Sequence, residues 1–287
     1  MGGPGGRFYK KAPLAAGGKI NKMNKESKTG LEIAVIGMTG RFPGAKNLDR
    51  FWNNLINGIE SIPFYSGEEL IETGIDPALL QNPDYVKSDG GVLEGKEYFD
   101  ASFFDYTPSE AMLMDPQIRI LHECAWEALE DAGYDPSTYK GYIGLYAGSD
   151  SSLHWESIAH LSRTGDQFGF FVTTQFSDKD YLTMRVSHKL DLKGPALVVR
   201  TACSTALVAI HLACRALLTG DCHMALVGGV SVNPSPKTGY LYQEGMVFSP
   251  DGHCRAFDAQ SRGTIPGNGA GVIVLKPLQK AAVDGDH

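Results

Sequence analysis

The 287-residue sequence has only five cysteines, Cys124, Cys203, Cys214, Cys222 and Cys254, with no CxxC pair and no metal-ligand spacing among them. A disulfide scaffold and a structural zinc site are excluded on that ground, and reduced thiols in a cytoplasmic protein are the simple inference. No apolar run approaches the ~20 residues of a membrane span, and the N-terminus has no hydrophobic signal-peptide core. Basic charge is in deficit, 26 Lys and Arg against 33 Asp and Glu for a net −7, so nothing suggests nucleic-acid binding. No GxSxG nucleophile elbow occurs, and Ser149-Asp150-Ser151-Ser152 with His154 therefore does not read as a serine hydrolase. The run Gly263 to Gly271 lacks the Lys-Ser or Lys-Thr pair of a phosphate loop. Tight turns and close backbone packing explain its glycines instead.

What is present is ordinary globular material: 43% hydrophobic and 21% charged residues, ample for a core. Residues 1–30 stand apart, with glycines alternating with Arg7, Lys10, Lys11, Lys19, Lys22, Lys25 and Lys28 and almost nothing to bury. They read as a flexible basic linker or docking tail. Folding is expected from Leu31, giving one region over 31–287. Leu31 to Gly37 reads as a strand ending at the glycine, and Leu48 to Ile56 as a short amphipathic helix with Phe51, Trp52, Leu55 and Ile56 on its apolar face. From Ser61 to about Glu110 no period emerges, which predicts an irregular surface excursion whose Tyr and Phe residues cover the core.

Regular structure then resumes. Asp115 starts a helix that Gly133 ends, with Ile118, Leu121, Cys124, Ala125 and Leu129 on one face. Tyr142 to Gly148 is a strand, helices with loops run to about Lys189, and Met224–Val230 and Gly271–Leu275 are further strands. Strands alternating with helices predict a layered α/β domain with a mixed sheet.

One stretch carries chemistry. Pro195 to Val199 is a short valine-rich run, the pattern of a buried strand. After it Ala206, Leu207, Ile210, Ala213, Cys214 and Leu217 recur at helical spacing up to Gly220, predicting a largely buried helix. Cys203 falls at this strand-to-helix junction, in the first helical turn. Unpaired backbone N–H groups and the positive end of the helix dipole favour an anion there, which for cysteine is the thiolate. Small neighbours leave room for a substrate. A free cysteine is as often a small core filler, and the residues alone leave both readings open.

Thr201-Ala202-Cys203-Ser204-Thr205-Ala206-Leu207 resembles the active-site motif of the β-ketoacyl synthases, specifically the ketosynthase domains of modular polyketide synthases. Four more stretches agree in order. They are Ile33-Ala34-Val35-Ile36-Gly37-Met38 with Arg41-Phe42-Pro43-Gly44-Ala45, and Asp115-Pro116-Gln117 with Trp126 to Gly133. Gly245 to Asp258 follows, including Ser249-Pro250-Asp251-Gly252, then Gly263 to Lys276. The resemblance implies a thiolase-like fold, covered here in its first half and the start of its second. It implies acyl transfer to Cys203 from the phosphopantetheine arm of an acyl carrier protein, followed by decarboxylative Claisen condensation. No cofactor or metal is implied on the chain itself. It also implies a homodimer paired across roughly Ala196 to Val199.

The family uses two histidines in glycine-flanked motifs of its second half. None of His122, His154, His160, His188, His211, His223, His253 and His287 lies in such a motif, and His211 is expected to pack. The condensing histidines are therefore expected from a missing segment or a second chain, as in a split or non-elongating synthase or an inactive fragment. Arg200 departs from the Asp or Gln common before Thr-Ala-Cys, and Ser177-Asp178-Lys179-Asp180 from an Asn-containing version. Ser204-Thr205-Ala206 and the Tyr240-to-Met246 segment look closer to trans-acyltransferase or hybrid peptide-polyketide lines.

Overall fold

The computed structural model describes residues 29–234 and 237–287. The basic leader therefore lies almost wholly outside the described residues. Chain order is β1 (Ile33–Arg41), α1 (Leu48–Ile56), α2 (Gly67–Glu72), α3 (Pro77–Leu80), β2 (Tyr85–Val86), α4 (Pro108–Leu113) and α5 (Pro116–Ala132). Next come β3 (Ile143–Ser149), α6 (Leu153–Leu161), α7 (Arg163–Phe168), α8 (Phe170–Ser177), α9 (Leu182–Lys189) and β4 (Ala196–Val198). The chain continues through α10 (Thr205–Thr219), β5 (Met224–Ser231), β6 (Tyr240–Leu241), β7 (Gly269–Pro277) and α11 (Leu278–Asp284).

Two compact units emerge, the first made of the residues through Thr39, Phe99–Gly229 and Gly271–His287, the second of Gly40–Tyr98 and Val230–Ala270. The first is the layered α/β body, built on a five-stranded sheet in the order β1-β7-β5-β3-β4. Its β3 and β4 run parallel, with Leu145 opposite Ala196 and Ala147 opposite Val198. One core face gathers Tyr146, Val199, Ala209, Ala213, Leu217, Val227 and Leu275 between the sheet and α10.

Helix α5 forms where the sequence places it. Asp115 caps it by accepting from the Gln117 N–H at 2.7 Å, Pro116 occupies the first turn, and Gly133 ends it in the left-handed region. Ile118, Leu121, Cys124, Ala125 and Leu129 are all fully buried. Strand β1, by contrast, runs on through Gly37 to Arg41. That glycine is required by packing rather than by a turn: a Cβ there would lie 2.7 Å from the Ala128 carbonyl oxygen and from Ala132 Cβ on α5.

The second unit corrects the expectation of an irregular excursion. Ser66 closes a capping box with Glu69 on α2, Asp76 and Pro77 start α3, and Tyr85 and Val86 pair antiparallel with Leu241 and Tyr240. Helices of four to six residues are too short to show a period, so their caps are the legible signal. Tyr65, Leu70 and Tyr85 form the small core there. The Gly263-to-Gly271 run packs closely as expected. A Cβ on Gly90 would meet the Pro266 carbonyl oxygen at 1.6 Å, and Asn268 Nδ2 donates to the Gly91 carbonyl at 2.5 Å. Helix α1 has its predicted bounds, but Trp52, Leu55 and Ile56 on its apolar face are exposed.

Three further expectations fail at the sheet edge. Strand β4 is an edge strand, not a buried one, and Leu197 is 47% exposed. Helix α10 is buried on one face only, through Ala209, Ala213, Ala216 and Leu217, while Leu207 is 72% exposed. The span Ala202–Thr219 is also, by length and composition alone, apolar enough to cross a membrane, against the expectation that no such run exists. Its buried alanines face β3 and the core, as in a sheet-packed helix.

Candidate active site

The candidate nucleophile sits where a parallel strand ends and a helix begins. After β4 the chain passes through Val199 and Arg200 into a 3₁₀ turn, Ala202–Ser204, which leads directly into α10. Cys203 thus precedes α10 instead of lying within its first turn. Ala202 takes φ of 52°, the left-handed region that disfavours any residue with a Cβ. Such strain persists only where surrounding bonds over-determine the turn.

Those bonds are present. The Thr201 N–H donates to Thr205 Oγ1 at 3.0 Å, and the Ser204 hydroxyl donates to the Thr201 carbonyl at 2.8 Å with Thr201 Oγ1 at 3.0 Å. The Ser204 N–H donates to the same carbonyl at 3.2 Å. From below, Gly148 of β3 lets the turn approach. A Cβ there would stand 2.0 Å from the Val199 carbonyl oxygen and 2.4 Å from Thr205 Cγ2. Sequence reading placed Gly148 at the end of a strand and missed this role, whose only signal was a glycine adjoining the nucleophile's own strand.

The Cys203 thiol is exposed and free. Burial pushes the Cys222 thiol up to about 11, and burial also raises Cys214. Cys124 is buried, and Cys254 is exposed in the second unit. Reachability therefore singles out Cys203 among the thiols of the α/β body.

No histidine bonds to Cys203 among the described residues. His122 is fully buried between the Tyr106 hydroxyl at 3.1 Å and the Ile118 carbonyl at 2.8 Å, and burial pushes it down to about 4. His160 lies 3.3 Å from the Thr174 hydroxyl, His223 Nδ1 accepts from the Tyr142 N–H at 2.9 Å, and His253 pairs with Glu60 at 2.9 Å. His211, expected to pack, is exposed on α10. Lys179, in the segment that departs from the family pattern, is a structural residue: it is 1% exposed and forms an ion pair with the helix cap Asp115. Among the described residues no group of side chains is arranged to hold a metal ion.

This constellation can do covalent chemistry of one kind: an accessible thiol on a rigid turn, beside backbone N–H groups, can take an acyl group. The chain is also similar to known proteins. A family model described as the N-terminal domain of β-ketoacyl synthase matches residues 31–281. Among curated proteins, one of the subunits of the phenolphthiocerol/phthiocerol polyketide synthase of Mycobacterium tuberculosis is 45% identical over 266 residues, 89% of this chain and 18% of that protein. Polyketide synthase PksN of Bacillus subtilis is 39% identical over 256 residues, 89% of this chain and 5% of that one. Among solved structures, ketosynthase twelve of the bacillaene polyketide synthase from Bacillus amyloliquefaciens superposes with a TM-score of 0.83 at 40% identity. The match covers 91% of this chain and 45% of that one. The chain thus spans less than half of each of these relatives.

Proposed function

The chain belongs to the β-ketoacyl synthase family, as a polyketide synthase ketosynthase of thiolase-like fold, and we propose that its Cys203 is the acyl acceptor. The observation that carries this reading is the exposed, free thiol on the strained turn between β4 and α10. The Cys203 thiolate attacks the thioester carbonyl of an acyl group on the phosphopantetheine arm of an acyl carrier protein. The arm's thiolate leaves and takes up a proton, and an acyl-Cys203 thioester remains. The backbone N–H of Cys203 forms part of the oxyanion hole for the tetrahedral intermediate. In the second half-reaction a malonyl-type extender loses carbon dioxide. Its carbanion attacks the Cys203 thioester, the thiolate departs, and a β-ketoacyl chain is left on the carrier.

The second half-reaction needs groups that stabilise an enolate and move protons, and His122, His160, His223 and His253 are bonded elsewhere. We assign acyl loading to this chain's own residues and condensation to histidines from a further segment or partner chain. A split synthase satisfies that division, and a non-elongating one would load Cys203 and pass the chain on without condensing it. Among the described residues the outer edge of β4 is unpaired, and a homodimer formed along it would cover the exposed Leu197. Cytoplasmic residence and a trans-acyltransferase or hybrid peptide-polyketide lineage belong to the same proposal, the latter resting on Ser204-Thr205-Ala206 after Cys203.

The test is acylation by a carrier-bound or N-acetylcysteamine thioester, read by intact-protein mass, with Cys203→Ala beside the native chain. A single acyl increment that disappears in the variant is the expected result. An increment that survives Cys203→Ala contradicts the assignment.

A further inference from the structure

Between Lys193 and Arg215 the chain carries one formally charged residue, Arg200. It lies three positions before Cys203, just beyond the end of an edge strand, and it is exposed. Among the described residues its guanidinium has no hydrogen bond, ion pair or ring contact. The two less exposed arginines of the α/β body differ. Arg119 donates to the Met114 carbonyl at 2.8 Å and lies over Trp155, and Arg185 donates to the Gln175 carbonyl and lies over Phe176. Arg200 is thus a cation held beside the nucleophile and left without a structural task.

The strand beside it adds a second observation. Extending the β3–β4 register from Ala147 opposite Val198 brings Ser149 alongside Arg200, and the Val199 N–H still donates to the Ala147 carbonyl at 2.9 Å. The Ser149 and Ser152 hydroxyl oxygens, on the turn leaving β3, are enclosed and have no hydrogen-bond partner. The carboxyl ends of parallel strands, where Arg200 lies, are where α/β sheets bind ligands. A guanidinium fork suits a carboxylate or phosphate oxygen pair.

We propose that Arg200, exposed just beyond β4 and three positions before Cys203, is a specificity site that favours loading of acyl groups bearing a second, free carboxylate. The inference rests on Cys203 being the acyl acceptor. Three peptide units separate the two α-carbons, at most about 10 Å when extended. A carboxylate a few bonds beyond the thioester carbon falls within that reach. An extended phosphopantetheine arm is longer, which leaves its phosphate on the carrier side and favours the acyl carboxylate as the ligand.

The experiment compares acylation of Cys203 by the glutaryl thioester of N-acetylcysteamine and by the same thioester as its methyl ester, followed by intact mass. The native chain, Arg200→Gln and Arg200→Lys are run in parallel, with matching circular dichroism spectra as the folding control. A charge-assisted bond of ordinary strength predicts that Arg200→Gln lowers the glutaryl-to-ester rate ratio about tenfold. Arg200→Lys should retain part of the ratio, and added salt should reduce it in the native chain. An equal ratio in native and Arg200→Gln proteins overturns the inference while leaving Cys203 as the acceptor. A second arm offers butyryl-pantetheine and butyryl-phosphopantetheine. If Arg200→Gln alters only that comparison, the cation reads the arm's phosphate and the carboxylate assignment is wrong. If no thioester acylates Cys203 in the native chain, the proposed function fails and this inference with it.

Discussion

Acid sensitivity of the α/β body should be traceable to His122. Its ring lies on α5 within a wall of Phe99, Phe104 and Tyr106, with Phe176 against Tyr106. The Ile118 carbonyl can only accept, so Nδ1 carries the proton, and Nε2 is left to accept from the Tyr106 hydroxyl. Burial, with the positive charges of Arg185 and Lys189, brings the group from 6.5 down to about 4, against a smaller upward pull from the Ile118 and Arg185 backbone carbonyls.

The sign follows from which state binds the proton. Below about pH 6.5 the unfolded chain protonates His122 while the folded chain does not, so stability falls as pH drops and levels off only below about 4. Between pH 7 and pH 5 this amounts to about 2 kcal/mol, roughly a thirtyfold shift toward the unfolded chain. The assay is urea unfolding of the native chain and of His122→Leu at both pH values. Leucine leaves the Tyr106 hydroxyl without its acceptor, a penalty that does not vary across this pH range and cancels when each protein is compared with itself. The native chain is expected to lose about 2 kcal/mol more than the variant on acidification. Equal losses, or an imidazole resonance that titrates near 6.5 in the folded protein, would refute the reading of His122 as a buried neutral group.

Gly148→Ala should both destabilise the chain and slow acylation, because its Cβ would stand 2.0 Å from the Val199 carbonyl and force the β4 end outward. Overpacking of this kind costs about 1–3 kcal/mol, and an ångström of displacement at a nucleophile can lower a rate about a hundredfold. Unchanged melting and unchanged mass gain would show that the strands are not that close. Lys179→Met strands the buried Asp115 carboxylate and is expected to cost about 3–5 kcal/mol in chemical unfolding. The double variant with Asp115→Asn should recover much of that loss, and strictly additive losses would deny the pair. Iodoacetamide on the folded protein should modify Cys203 and Cys254 while sparing Cys124 and Cys222, as read by peptide mass; early labelling of Cys222 would contradict its burial.

Some features were legible because one local rule settles each of them. Asp115, Pro116 and Gly133 fix both ends of α5 by capping chemistry alone, and its five apolar positions all face inward. The position of Cys203 followed from a valine run, a small-residue turn and an apolar helix in succession. Strand β1 was cut short because Gly37 looks like a terminator, when its missing Cβ serves a contact with α5 that is 91 positions away in sequence at Ala128. Helix α11 gave no warning, being seven residues long; Lys276, just ahead of it, holds Tyr134, Asp284 and Asp286 at 2.5, 2.5 and 2.8 Å.

The misjudged burial of α10 has a different cause. Hydrophobic periodicity ranks residues by how much apolar surface they offer, and it selected Leu207 and Ile210 with Ala206, Ala213, Cys214 and Leu217. The helix instead buries Ala209, Ala213, Ala216 and Leu217. A helix lying close over a strand with glycines at positions 144 and 148 must present small side chains to it, since a leucine on that face would hold the two backbones apart. Closeness is also what the turn carrying Cys203 requires. Thr205 and the Val199 carbonyl reach over Gly148 only because the helix sits low on the sheet, and that seating holds the Ala202 turn in its strained conformation. Leu207 is consequently displaced to the outer face, and its exposure follows from the same packing that raises Cys203 to the surface. Substituting Ala209 or Ala213 with leucine should therefore disturb the nucleophile turn as well as the core, whereas Leu207→Ala should leave the stability of the α/β body within about 0.5 kcal/mol of native in urea unfolding.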